Sequence, residues 1–269
     1  MTAYTSELFD GARGRIAVRR WRNPGARHLV ALVHGYGEHM GRYVHVADTL
    51  VARGAEVFGP DHLGHGQSAG ERVLIADFDD VLDDLHRAVE SVRKERPGLP
   101  LVVVGHSLGG MIATRYAQTR GHEMAGLVLS GPVLGSWVQA TSLLEQQEIP
   151  DTPIDVSTLS RDPRVGAAYA ADPLVWHGPF RRETLRAIER CLADINAGPT
   201  VGELPTLWLH GEADALVPIA PSREGVDRIA GSDLVERTYP DARHEIFNET
   251  NRDEVLAELA DFVDRVTAR

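Results

Sequence analysis

Short apolar runs recur along this chain with helix-length amphipathic stretches between them, and that alternation limits the fold more than any other feature. His28-Leu-Val-Ala-Leu-Val33 is apolar after its first residue, the pattern of a strand covered on both faces. A helical stretch follows, with Tyr43, Val46, Leu50 and Val51 along one side and Gly54 placed to end it. Ala55 to Phe58 reads as a second strand. Phe78, Val81, Leu82, Leu85, Val89 and Val92 mark a long amphipathic helix that stops before Pro97. Leu101-Val-Val-Val104 is the clearest strand, and a small-residue helix runs from about Leu108 to Arg120. Leu127-Val-Leu129, Leu207-Trp-Leu209 and Leu234 to Tyr239 supply further strands, and Val255, Leu259, Phe262 and Val266 space a C-terminal helix. Strands joined through helices pair in parallel, with the crossovers on both faces of one sheet. The expected class is α/β, with a mostly parallel central sheet. Residues 15–22 alternate instead, with Ile16, Val18 and Trp21 among arginines, which suits an antiparallel strand at the sheet edge.

The rhythm breaks between about Gly135 and Gly202. Pro150, Pro153, Pro163, Pro173 and Pro179 fall there, with one good helical pattern in Leu185, Ile188, Leu192 and Ile195. Compact domains rarely carry a structureless loop of that length. The expectation is a helical cap over 135–202, inserted into a core formed by 1–134 and 203–269. It would lie over the carboxyl ends of the strands, where open α/β sheets bind ligands.

The formal net charge of −11 argues against a nucleic-acid surface, which needs clustered Lys and Arg, and against tight docking on anionic lipid. Neutral substrates are the easier fit. The lone cysteine, Cys191, cannot form an intrachain disulfide, and it falls on the apolar side of its helix, where packing is its expected role. Met1-Thr2-Ala3-Tyr4 shows no basic segment leading into an apolar run, so no signal peptide is expected. No stretch reaches the roughly 18 apolar residues that span a bilayer. A cytoplasmic location is the resulting expectation.

Val104-Gly105-His106-Ser107-Leu108-Gly109-Gly110 matches G-x-S-x-G directly after an apolar strand and directly before a helix, the context that motif requires. A nucleophile on so sharp a turn holds strained backbone angles, and glycines two residues either side remove side chains that would collide with passing chain. The helix that follows aims its N–H groups at the place where negative charge develops in acyl transfer. Ser107 is therefore the candidate nucleophile.

Serine needs a base, and the base needs an orienting carboxylate. In this arrangement the acid comes next along the chain and the histidine last. Asp214 lies just past the strand in Thr206-Leu-Trp-Leu-His-Gly-Glu-Ala-Asp214, with Glu212 and Asp241 as alternatives. His244, after the strand ending at Tyr239, is the last histidine and the only one beyond His210. The oxyanion hole needs the N–H of Leu108 and one from an earlier loop. His34-Gly35-Tyr36-Gly37 fits, with the Tyr36 N–H as donor. Twelve histidines raise the question of a metal, but His34, His39, His45, His62 and His65 lack zinc-site spacing, so no metal is expected. His62 and His65 are expected to pack beneath the oxyanion loop.

Several segments together resemble the monoacylglycerol lipase family, within the lysophospholipase-like α/β-hydrolases. His34-Gly-Tyr-Gly-Glu-His-Met-Gly-Arg-Tyr43 is similar to its oxyanion segment, Asp61-His-Leu-Gly-His-Gly-Gln-Ser68 to its D-x-x-G-H-G-x-S loop, and Gly105-His-Ser-Leu-Gly-Gly110 to its elbow. Ser160-Arg-Asp162 to Asp172-Pro-Leu174 looks like its cap, and His210-Gly-Glu-Ala-Asp214 and His244-Glu-Ile-Phe-Asn-Glu249 like its acid and base segments. The resemblance implies the α/β-hydrolase fold and cofactor-free cleavage of a monoacylglycerol to a fatty acid and glycerol. It also implies a cap whose apolar rim meets lipid transiently. Glu38, His39 and Arg42 are candidate substrate contacts. Trp137, Leu143 and Leu144 either line an acyl tunnel or pack within the cap. The early cap, Leu134 to Ile154, is the least family-like part. The rival readings are a broad carboxylesterase or lysophospholipase with the same three residues, and a non-catalytic ligand receptor on the same scaffold.

Overall fold

The computed structural model describes residues 3–268; Met1, Thr2 and Arg269, and with them part of the reading of the leader, lie outside it. Eight strands form one sheet: β1 (Thr5–Asp10), β2 (Arg15–Trp21), β3 (His28–Val33), β4 (Ala55–Pro60), β5 (Leu101–His106), β6 (Gly126–Ser130), β7 (Thr206–Gly211) and β8 (Leu234–Tyr239). Their order is β1-β2-β4-β3-β5-β6-β7-β8, with β2 antiparallel to both its neighbours and all pairs from β4 to β8 parallel. The helices are α1 (Val44–Ala52), α2 (Phe78–Glu95), α3 (Leu108–Arg120), α4 (Val138–Thr141), α5 (Pro163–Ala171), α6 (Arg182–Ala197), α7 (Ile219–Ile229) and α8 (Arg252–Thr267).

The two faces of the sheet follow the period of two in its strands. Leu29, Ala31 and Val33 of β3 join Leu101 and Val103 of β5 in one cluster with α2, α3 and α6. Val30 and Leu32 join Val102 and Val104 in the other, with α1 and α8. That double coverage is why these strands carry almost no polar residue. Helix α2 shows how local signals agree with packing. The Asp77 side chain accepts from the Asp79 N–H at 3.0 Å, acids occupy the first turn, and Arg93 and Lys94 the last.

One expectation needs correcting. Residues 15–22 do form an antiparallel strand, but β2 is not the edge, because β1 pairs along it from Thr5↔Arg20 to Asp10↔Arg15. The neighbour turns a half-covered strand into an interior one. Arg20 is buried there, donating to Glu56 at 2.6 Å, with Arg96 on the other oxygen of the same carboxylate at 2.8 Å.

Between β6 and β7 the chain runs through α4, α5, α6 and short 3-10 turns. The segment is in two parts. Helix α6 buries Leu185, Ile188, Leu192 and Ile195 in the main cluster beside α3, and Cys191 is buried with them. Residues around α5 have a small cluster of their own, Leu159, Tyr169 and Val175.

Side-chain tethers hold this second part down. Glu249, whose side chain is fully buried, accepts from the Arg161 N–H and Nε, both at 3.0 Å. His39 Nε2 meets Asp172 Oδ2 at 2.9 Å, and the Trp176 N–H donates to the Gly37 carbonyl at 2.7 Å.

Candidate active site

Ser107 stands between the end of β5 and the start of α3 with φ 55° and ψ −119°, a strained combination for a residue with a side chain. The flanking glycines are sterically required. A Cβ on Gly105 would collide with the Gly109 carbonyl, and one on Gly109 with the carbonyls of Val33 and His34. The Ser107 N–H donates to the Ser130 carbonyl at 2.9 Å, which pins the turn to β6.

His244 follows β8 and brings its Nε2 to 2.9 Å from Ser107 Oγ. Its Nδ1 lies 2.7 Å from Asp214 Oδ2. The carboxylate can only accept, so Nδ1 carries the proton and Nε2 is the free base facing the hydroxyl. Asp214 sits just past β7, and its other oxygen accepts from the Leu216 and Val217 N–H groups at 2.9 and 2.8 Å. The His210 ring lies 3.5 Å from Oδ2 and donates to the Val217 carbonyl at 2.9 Å. Glu212 is exposed and bonded to Thr238, and Asp241 is an exposed turn residue with φ 60°, so neither reaches the imidazole.

Burial pushes the His244 imidazole toward neutrality, but the adjoining Asp214 carboxylate outweighs it and leaves its pKa above the ordinary histidine value. Burial pushes Asp214 up, and the two histidines more than reverse that, holding the carboxyl well below its usual range. Burial also lowers His106 to about 4, so this ring, 4.8 Å from His244 between centroids, stays neutral.

The Leu108 N–H is the first of α3, one of those a helix leaves without an internal acceptor. Tyr36 lies after β3 in the loop that passes Ser107, and both Tyr36 and Ser107 line one cavity. Beneath this loop are three neutral histidines. His34 Nδ1 donates to the Gly35 carbonyl at 2.8 Å while its Nε2 accepts from the His62 N–H at 3.0 Å. His62 Nε2 donates to the His34 carbonyl at 3.0 Å, and burial lowers His65 to about 3.

The cavity over Ser107 is lined by the apolar side chains of Trp137, Ala140, Ile154, Leu159, Phe180 and Leu216 together with Glu38, Arg42, Tyr169 and Glu245. Of the candidate contacts, Trp137 thus faces the cavity, its Nε1 held by the Leu216 carbonyl at 2.8 Å. Leu143 and Leu144 are half-buried against the main core and do not line it. His39 lies outside it, tied to Asp172. Glu38 and Arg42 line the cavity but are paired with each other, and Arg42 also with Glu245. Phe180, Leu159 and Glu245 were not singled out from the sequence. Nothing local marks them, since they meet the elbow only through tertiary packing.

A mostly parallel eight-stranded sheet, with serine, histidine and aspartate in hydrogen-bonded line at the carboxyl ends of its strands, defines an α/β-hydrolase of the serine-nucleophile class. The family described as serine aminopeptidase, S33, matches residues 24–251. The chain is 36% identical to a monoacylglycerol lipase of Mycolicibacterium smegmatis over 95% of both chains. It is 33% identical to the human monoglyceride lipase, over 87% of this chain and 84% of that one. A crystal structure of a monoacylglycerol lipase from Paleococcus ferrophilus is similar in fold, with a TM-score of 0.80 at 27% identity, covering 97% of this chain and 99% of that one. The chain belongs to this hydrolase family and, within it, to the monoacylglycerol lipases.

Proposed function

We propose that the chain cleaves monoacylglycerols to a fatty acid and glycerol through an acyl-enzyme on Ser107. The observation that carries this reading is the 2.9 Å approach of His244 Nε2 to Ser107 Oγ at a cavity lined largely by apolar side chains. His244 takes the hydroxyl proton as Oγ attacks the ester carbonyl carbon. Asp214 holds the imidazole in the right tautomer and stabilises its charged form. The Leu108 and Tyr36 N–H groups receive the developing oxyanion, each lowering the barrier by about 3 kcal/mol. The protonated imidazole then gives its proton to the departing glycerol oxygen, and the carbonyl re-forms as the acyl-serine. Water attacks that ester with His244 again as base, which releases the fatty acid and restores the hydroxyl.

The apolar lining suits the acyl chain. In this reading residues 135–202 serve as a lid on the core of 1–134 and 203–269. Among the described residues no helix is long and apolar enough to cross a membrane. Contact with lipid would fall on the lid, where Val138, beside Trp137, is 60% exposed.

A steady-state panel tests the substrate class: 1-monoacylglycerols of graded chain length against short acyl esters and lysophospholipids. The reading expects the highest kcat/KM on monoacylglycerols. A higher value on either other class would replace it with the carboxylesterase or lysophospholipase reading.

A further inference from the structure

Behind the reacting atoms lies a buried set of charges that no step above uses. Arg42 lies in a 3-10 turn (Met40–Tyr43) after β3, and its side chain is 11% exposed. Nη1 donates to Glu38 Oε2 at 2.8 Å and to Glu245 Oε1 at 2.7 Å, while Nη2 donates to Glu245 Oε2 at 2.8 Å. The Tyr169 ring of α5 covers the guanidinium at 5.0 Å. One planar fork therefore joins residues 203 positions apart in the chain.

Each carboxylate leads to a different half of the reaction centre. Glu38 Oε1 accepts from the Gly35 N–H and the Tyr43 hydroxyl, both at 2.7 Å. Gly35 immediately precedes Tyr36, and a Cβ there would stand 3.2 Å from Ser107 Cβ. Glu38 thus holds the peptide beside the oxyanion donor against the nucleophile. Glu245 directly follows His244, accepts from Asn248 Nδ2 at 2.8 Å, and donates its N–H to the Leu159 carbonyl at 2.8 Å. A buried ion triad is a poor source of stability, because desolvating the three charges offsets most of their attraction. Its geometry serves alignment better. Small displacements at this distance from the chemistry are costly to rate, since about 1 Å of misplacement can lose roughly 10²-fold.

We propose that Arg42 is a positioning residue for the Ser107 reaction, spacing the oxyanion loop through Glu38 and the base-bearing loop through Glu245, and balancing their carboxylates. The inference rests on the reading of Ser107 as nucleophile. It assigns Arg42 a role apart from substrate contact, although the side chain reaches the cavity wall.

Charge supplies a second readout. The His244 ring faces Asp214, itself flanked by His210, and it also faces His106, Glu245 and Glu38, and the two glutamates favour its protonated form. Arg42 is the cation among these groups. With a neutral side chain at 42, both carboxylates act on the imidazole unopposed, and the acid limb of the rate profile moves to higher pH.

The experiment compares R42K, R42M and E38Q with the native protein, by kcat and KM on a monoacylglycerol and by the second-order rate of Ser107 labelling with a fluorophosphonate across the neutral pH range. R42K keeps the charge and loses the fork. It should lower kcat and the labelling rate about 10- to 10²-fold, with KM little changed and the acid limb in place. R42M should show the same loss with the limb shifted upward. E38Q, nearly isosteric, should lose rate in the same way, and the E38Q/R42K pair should lose less than the product of the singles. Native rates in R42K, a loss confined to KM, or losses that multiply would overturn the proposal. A native protein that labels at Ser107 but spares monoacylglycerols would defeat the substrate reading alone, and the labelling rates would still decide the role of Arg42. Absence of labelling in the native protein would defeat the reading of Ser107 and this proposal with it.

Discussion

Gly109 and Gly166 represent two regions built by different means. A Cβ on Gly109 would run into the backbone carbonyls of Val33 and His34, so at the elbow main chain packs directly on main chain. A Cβ on Gly166, in α5, would meet Val156 atoms at 3.2 Å, a tight contact that a small shift relieves. At the elbow the reacting atoms are set by backbone that cannot move. The segment around α5 is held by side-chain tethers such as Arg161 to Glu249 and His39 to Asp172. The difference teaches where each kind of change acts: chemistry fails at the first region, and access and stability shift at the second.

The largest effect should come from Ser107→Ala, which lowers kcat on any ester the native protein cleaves by about 10⁴-fold or more while the thermal midpoint stays near native. Substantial residual turnover would move the nucleophile elsewhere. Gly109→Ala comes next, costing about 3 kcal/mol of stability by overpacking against fixed carbonyls, read as a lowered urea midpoint. Glu249→Ala in the tether should cost about 2 kcal/mol, since it leaves half-buried N–H donors of Arg161 and Arg243 without an acceptor. Its kinetic signature should be a raised KM together with a lowered kcat, because Arg243 directly precedes the base His244. Gly166→Ala should change stability by less than about 1 kcal/mol. Equal costs at Gly109 and Gly166 would erase the contrast.

The smallest effect per residue is a pH dependence that comes from buried histidines. His34, His62, His65 and His106 are buried, and burial lowers their pKa values in the folded state, to about 3 for His65 and about 4 for His106. Below the ordinary histidine value of about 6.5 the unfolded chain binds protons that the folded one refuses, so stability falls as pH drops toward those lowered values. His244, whose pKa is raised, contributes with the opposite sign. His28 and His45 are lowered by burial as well, so six outweigh one, and the urea midpoint should be lower at about pH 5 than at about pH 7. A midpoint that is flat or rises on acidification would contradict the neutral, buried state of these rings.

What the sequence made legible follows the same division. The interior strands were readable because burial on both faces leaves only apolar residues, as in β3 and β5. The elbow was readable because strain and close approach demand glycine at 105 and 109. Strand β1 was not, since its residues are exposed or half-exposed at the sheet edge and carry no apolar pattern. That omission made β2 look like an edge, although Arg20 is buried by ion pairs whose partners lie on β4 and α2. Helix α6 was visible in its apolar spacing, whereas α5 and α7 were not singled out. Glu245 escaped notice because its meaning depends on Arg42, far away in the chain. Leu143 and Leu144 carry the right chemistry for an acyl tunnel, but only packing could decide which residues between β6 and β7 turn toward Ser107.

The account depends on the hydroxyl at 107 being made nucleophilic by the imidazole at 244. Peptide mapping after reaction with a fluorophosphonate measures that directly, on the native protein and on His244→Asn. The prediction is a single adduct on Ser107 in the native protein and a labelling rate that collapses in the variant. An adduct at another residue, or Ser107 labelling as fast without the imidazole as with it, would contradict the account.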